Sequence, residues 1–137
     1  MTTKRTPQRQ TDVRASNNKI RGMKLLTQKI RRQLPPLSAD PPGGQAVAYV
    51  KYFTPDSNWT WWATLGSPIT GSDEAETDFQ FFGLVQGHCR ELGYFNLSEL
   101  ETVRGPLGLP IERDLYWKPK TLAEIAPEMF DSEEQGR

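Results

Sequence analysis

At 137 residues the chain is one domain's worth of sequence, and its single cysteine, Cys89, excludes an intramolecular disulfide. Seventeen Lys and Arg balance seventeen Asp and Glu, but residues 1–34 carry a net charge of +9 and residues 35–137 a net of −9, so a basic arm joins an acidic body. No run approaches the ~20 apolar residues of a membrane span and the start, MTTKRTPQRQ, has no apolar signal-peptide segment, so the expected compartment is the cytoplasm with no membrane partner.

Residues 1–22 hold two aliphatic side chains beyond alanine and no aromatic ring. Such a segment cannot bury enough apolar surface to offset its ordering entropy and reads as a disordered basic extension. From Met23, MKLLTQKIRRQL places Leu26, Ile30 and Leu34 on one helical face, with Thr27 as N-cap and Pro35 as stop. PPLSADPPGG follows as a connector. AVAYVKYF (46–53) predicts a strand, residues 54–58 a turn, and NWTWWAT a second, antiparallel strand. Residues 66–78 are polar and acidic and read as a surface loop. FQFFGLVQG (79–87) and LGYFNL (92–97) are the third and fourth strands, joined through HCRE.

At Ser98 the period switches: Ser98 and Glu101 form an S-x-x-E capping box for a short helix that Gly105-Pro106 ends. IERDLYW (111–117) predicts a fifth strand, at an edge beside Pro110 and Pro119. Thr121 and Glu124 cap a last helix, TLAEI, stopped by Pro127, before a loose acidic tail over residues 128–137. The expected architecture is α+β: a mostly antiparallel sheet of about five strands with three short helices, forming a single domain over residues 23–127.

With these segments placed, the chain resembles a bacterial family catalogued as domain of unknown function 2958, whose members are small proteins of conjugative plasmids and other mobile elements. The resemblance runs from MKLLTQKIRRQLPPL through AVAYVKYFTPDSNWTWWAT and FFGLVQGHCRELGYFNLSELE to GLPIERDLYWKPKTLAEI, about 105 of the 137 residues. It implies a one-domain protein and carries over no catalytic residue. Family members usually begin at the MKLLT segment, so the resemblance makes residues 1–22 an extension or an early start codon.

Of 14 aromatic residues, 13 lie between Tyr49 and Trp117, and only Phe130 falls outside. Rings of this kind bury about 150–250 Å² each. Alternation puts Trp59 and Trp61 on one face and Trp62 on the other, which one helical layer cannot cover. Trp59, Trp61, Trp62, Phe81 and Tyr94 are therefore the interface candidates of a homo-oligomer. Stacking of nucleobases on these rings is disfavoured, because residues 46–126 carry six basic and eleven acidic side chains. The basic arm, with Lys4, Arg5, Arg9, Arg14, Lys19 and Arg21, suits weak, sequence-indifferent contact with nucleic-acid phosphates.

His88-Cys89 invites a thiolate reading, but neighbours in extended chain point apart, and a turn is the default. One His and one Cys supply no ligand-spaced metal cluster, and no cofactor motif is present. Glu112 and Asp114 would share one strand face, and with nearby Glu101 and Arg104 they form the acid/base set of an enzyme reading. The competing account is charge that guards an exposed sheet edge.

Three functions follow. The leading one is a non-enzymatic accessory protein of a mobile element, acting through protein–protein contacts, self-associating, with a further protein partner from the same element. The others are a nucleic-acid-associated protein using the arm and a small carboxylate-dependent hydrolase. The arm's composition also sets a test of the domain limits. A chain beginning at Met23 is expected to unfold at the same denaturant midpoint as the full chain; a loss above about 1 kcal/mol, the size of an ordinary point substitution, would mean that the arm is packed.

Overall fold

Alternation along a strand sends Trp61 and Trp62 to opposite faces of a sheet. The computed structural model, which describes residues 24–39 and 43–130, covers both faces. The basic extension and residues 131–137 of the acidic tail lie outside the described residues.

The centre is one long hairpin. β3 (Thr60–Thr70) and β4 (Glu76–Gln86) are eleven residues each and pair antiparallel from Thr60↔Gln86 to Thr70↔Glu76. β2 (Val50–Phe53) joins the far side of β3, and β5 (Arg90–Asn96) the far side of β4. β6 (Glu112–Arg113) closes the other edge against β2, giving the all-antiparallel order β5-β4-β3-β2-β6. A second sheet pairs β1 (Val47–Ala48) with β7 (Lys120–Thr121). The short helices are α1 (Gln28–Gln33), α2 (Leu97–Thr102) and α3 (Leu122–Ile125), with a 3-10 turn at Gly43–Gln45 and a further helical turn over residues 127–130. The α+β expectation is met. None of these helices is long and apolar enough to cross a membrane.

Two apolar clusters hold the sheet between them. On one face Val50, Tyr52, Trp61, Phe79, Phe81 and Phe95 meet Leu26, Ile30 and Leu34 from the α1 region and Leu100 of α2. The i, i+4, i+8 spacing of those three N-terminal residues thus does pack as one face. Thr27 caps α1 by accepting from Ile30 N through Oγ1 at 3.2 Å. Tyr52 is wholly buried, and its hydroxyl donates to Leu25 O at 2.6 Å. Burial holds that phenol well above the usual tyrosine range, the charge of Arg113 opposing only weakly. On the other face Trp62 and Leu84 pack with Ala46, Ala48, Leu122, Ala126 and Phe130. Trp117 joins them and donates from Nε1 to Ala48 O at 2.9 Å.

Several boundaries differ from the sequence reading. The strand expected over residues 46–53 divides at Tyr49, whose N–H donates to Ala63 O, so one extended segment serves two sheets. The loop expected over residues 66–78 is instead mostly the outer half of the β3–β4 hairpin, turning through Gly71–Ala75. Past Ala63, β3 has lost its β2 neighbour, so Pro68 sits where its missing N–H faces no partner strand. The capping box over Ser98 and Glu101 is shifted by two residues: Asn96 caps α2, and Glu99 Oε1 accepts from Asn96 N at 2.7 Å. Ser98 is recruited by Asp78 instead. The fifth strand is at an edge as expected but is only two residues long. Thr121 and Glu124 cap α3 as expected. Phe130, outside the aromatic-rich segment, is buried, so residues 128–130 pack rather than trail.

Gly83 is the tightest point of the sheet. It lies opposite Ala63, where β3 bulges, and a Cβ there would fall 1.8 Å from Trp62 O. The obstruction is backbone and cannot rotate away. Gly83→Ala is expected to lower stability by more than about 2 kcal/mol in urea unfolding, in the upper range for overpacking. An unchanged midpoint would mean that the two strands can separate there without cost.

Candidate interaction surface

The sheet has two edges, and they are built differently. β6 exposes only two residues, one of them Glu112, and follows Pro110, whose neighbourhood is tied back by the Arg104↔Pro110 bridge. β5 exposes seven residues, contains no proline, and pairs on one side only, with β4 from Gln80↔Asn96 to Gln86↔Arg90. Unpaired N–H and C=O groups along such an edge are a template for another strand.

Two large apolar side chains stand exposed beside this edge. Arg90, Leu92, Tyr94 and Asn96 share a face by alternation, and Leu92 and Tyr94 are 42% and 64% exposed. Tyr94 stands edge-on to Phe82 across the ladder, ring centres 4.9 Å apart. Behind them a half-open cavity of about 450 Å³ is lined by Leu37, Ala46, Leu65, Phe82, Tyr94 and Leu122 among others. Gly93, between the two exposed residues, would meet nothing within 4 Å if given a Cβ. The chain's own packing therefore does not require glycine there, unlike at its ladder partner Gly83.

A second apolar surface lies at the opposite face. Trp59 and Trp61 stack at 5.9 Å beside a cleft of about 340 Å³ formed with Thr54, Val103, Arg104 and Pro106. The adjoining loop shows Leu107 and Leu109 to solvent and is held by Asp56, whose Oδ2 accepts from Leu107 N at 2.7 Å.

Of the five interface candidates, Trp61, Trp62 and Phe81 are buried in the two cores. Two faces, each with its own cover, absorb more aromatic surface than a single helical layer could. Trp59 and Tyr94 remain exposed. Leu92 and Gly93 were missed by the sequence reading, because their significance comes from the position of β5 in the sheet order. The arm candidates Lys4, Arg5, Arg9, Arg14, Lys19 and Arg21 lie outside the described residues.

The four acid/base candidates have separate structural engagements. Glu112 pairs with Phe53 in the ladder, and Asp114 lies just past the strand end. Asp114 Oδ1 accepts from Tyr116 N at 3.0 Å, and Oδ2 lies 3.7 Å from Lys51 Nζ. Arg104 Nη1 donates to the carbonyls of Glu101 and Val103, at 3.0 and 2.8 Å. The Glu101 carboxylate enters no described contact with the other three. His88 lies edge-on to Trp59 at 5.8 Å, in the turn where Cys89 is exposed. Among the described residues no group of three or more His, Cys, Asp or Glu is arranged to hold a metal.

Residues 25–128 match the family described as protein of unknown function (DUF2958), and the chain belongs to that family. No curated protein and no solved structure matches the chain.

The far end of β5 is fastened by Asp78, which joins β4 to α2. Its Oδ2 accepts from Ser98 Oγ at 2.6 Å, and its Oδ1 from Phe79 N at 2.7 Å and Ser98 N at 3.1 Å. Burial alone would raise this carboxyl, but the three hydrogen bonds outweigh it and hold the group below the usual aspartate range. A depressed native pKa stabilises the fold above the unfolded value and loses that contribution as pH falls through the native one. Asp78→Asn is therefore expected to cost about 1 kcal/mol near neutral pH, the scale of a partly exposed hydrogen-bond set. The difference from wild type should shrink as pH drops below the carboxylate range. A gap constant with pH in urea titrations would show that the charge is not what these bonds depend on.

Proposed function

We propose that this member of the family is a non-enzymatic accessory protein of a mobile genetic element that acts through protein–protein contacts and pairs with a second copy of itself. One observation carries the reading: β5 is a seven-residue open edge with exposed Leu92 and Tyr94 on one face. Natural sheets blunt edges of that length with proline, bulges or inward charge, or else use them. β5 has charge only at its first two positions, Arg90 and Glu91, and Arg90 is occupied by Gln86 and Glu128.

The non-enzymatic part is supported by how the carboxylates are engaged. Asp114 closes a turn and Asp78 fastens a helix, while Arg104 braces its own backbone. The mobile-element context is supported by family membership and the expectation that goes with it. The acidic body, with five more acidic than basic side chains over residues 46–126, favours a protein partner over nucleic acid.

Light scattering at micromolar concentration is expected to return twice the chain mass of 15.6 kDa. Tyr94→Lys puts a charge on the exposed side of the edge and should return the protein to the monomer mass without moving its far-ultraviolet circular dichroism. A wild-type monomer would overturn self-association. A dimer indifferent to Tyr94→Lys would move the contact to another surface.

A further inference from the structure

Building on the self-association proposed above, we infer its geometry: two copies pair β5 to β5, antiparallel, about a two-fold axis through Gly93, making one ten-stranded sheet. A two-fold contact presents the same surface twice, so the edge must complement itself. β5 does so in this register. With Gly93 on the axis, Leu92 of each copy stands opposite Tyr94 of the other. The four side chains then form two apolar cross-strand pairs on the face where the single chain leaves them exposed.

Charge does not oppose this arrangement. The register sets Arg90 of one copy opposite Asn96 of the other, at the start of α2 where Glu99 is the first-turn acid. Arg90 is held at the beginning of β5 by Gln86 Oε1 at 2.7 Å and by Glu128, so its charge is already placed at that end. Antiparallel pairing therefore sets Arg90 against a neutral residue rather than a like charge. Centring the axis on Leu92 instead would put Arg90 against Tyr94 and Glu91 against Gly93, which breaks the apolar pairing of Leu92 with Tyr94. A one-residue slip would send one copy's Leu92 and Tyr94 to the face opposite the other copy's.

Gly93 is compatible with the same axis. A glycine inside a strand weakens it and often marks a place where another backbone approaches closely. Its partner Gly83 is demanded by Trp62 O, but Gly93 has open space within the chain. On the two-fold, Gly93 lies against Gly93 of the second copy, so neither strand sets a side chain over the axis.

The test uses the chain's single, exposed cysteine. In a Cys89→Ser background, Gly93→Cys is expected to form an intermolecular disulfide under mild copper–phenanthroline oxidation, read as a doubled mass on a non-reducing gel. Glu91→Cys in the same background should react at least about tenfold more slowly, because its two copies lie well beyond bonding distance in this register. Since Gly93→Cys also tests tolerance, a mixture of the Leu92→Cys and Tyr94→Cys chains, each in that background, gives a second measurement. Disulfides between the two kinds of chain should outnumber those within either kind. A dimer by light scattering in which position 93 does not cross-link faster than 91, or in which the mixed pair is not favoured, overturns this geometry and leaves self-association standing. A monomer at every concentration tested overturns both.

Discussion

Trp61 and Trp62 are adjacent in a central strand, and that adjacency governs the rest of the molecule. A strand must send them to opposite faces, and each indole is too large to leave in water without consequence. The sheet therefore needs two covers, and the chain supplies them from its two ends. Residues 24–34 and α2 close one face; residues 43–48 and the segment from β7 to Phe130 close the other. Both covers are assembled over long sequence separations, so their loop-closure entropy is repaid only when they dock together. Arg31 shows how the first cover is fixed: its guanidinium lies 4.9 Å over the Phe79 ring and forks onto Glu76 at 2.7 and 2.9 Å. The Glu76 side chain is solvent-exposed, so the ring contact and the bidentate geometry matter more than the charge itself.

How much of this could be read from the sequence follows from how local each signal is. Thr27, Thr121 and Glu124 were legible because a cap is decided within four residues. The α2 cap was misplaced because two frames overlap, Asn96 with Glu99 and Ser98 with Glu101. The burial of Phe95 and Leu100 and the capture of Ser98 by Asp78, twenty residues away, decide between them. Residues 66–70 looked like loop because Gly66, Ser67 and Pro68 have low strand propensity. In the structure they are held by pairing to one neighbour only and by bonds to the connector, Gly66 N to Pro35 O and Leu37 N to Ser67 Oγ. The surface at β5 was only half legible. Tyr94 was named for being aromatic, whereas Leu92 and Gly93 matter because of where β5 falls in the sheet order, a property of topology that no local pattern encodes.

The two edges show how one chain treats the same hazard in opposite ways. At β6 the ladder is cut to two residues, Arg113 Nε is turned back to Lys24 O, and Asp114 ends the strand by accepting from Tyr116 N. The short ladder and the engaged Tyr116 N–H leave another strand little backbone to pair with. At β5 the ladder runs for seven residues, and the terminating devices sit outside it: the Gly87–Cys89 turn at one end and α2 at the other. The fold thus blunts one edge of its sheet and leaves the other open, with two apolar side chains exposed beside it.

The acidity of the body has an explanation of the same kind. Helices of four to six residues and strands of two leave a high proportion of backbone N–H groups at ends and turns, where no ladder or helical partner exists. Carboxylates supply the acceptors. Asp56 takes Leu107 N, Asp73 takes Ala75 N, Asp78 takes Phe79 N and Ser98 N, Glu99 takes Asn96 N, Asp114 takes Tyr116 N, and Glu124 takes Thr121 N. Carboxylates spent on turns in this way are fixed where they are and spread over the molecule. A catalytic carboxylate needs the opposite, convergence on one cleft with a pKa matched to its task. Six of the eleven carboxylates over residues 46–126 thus serve as turn and cap acceptors.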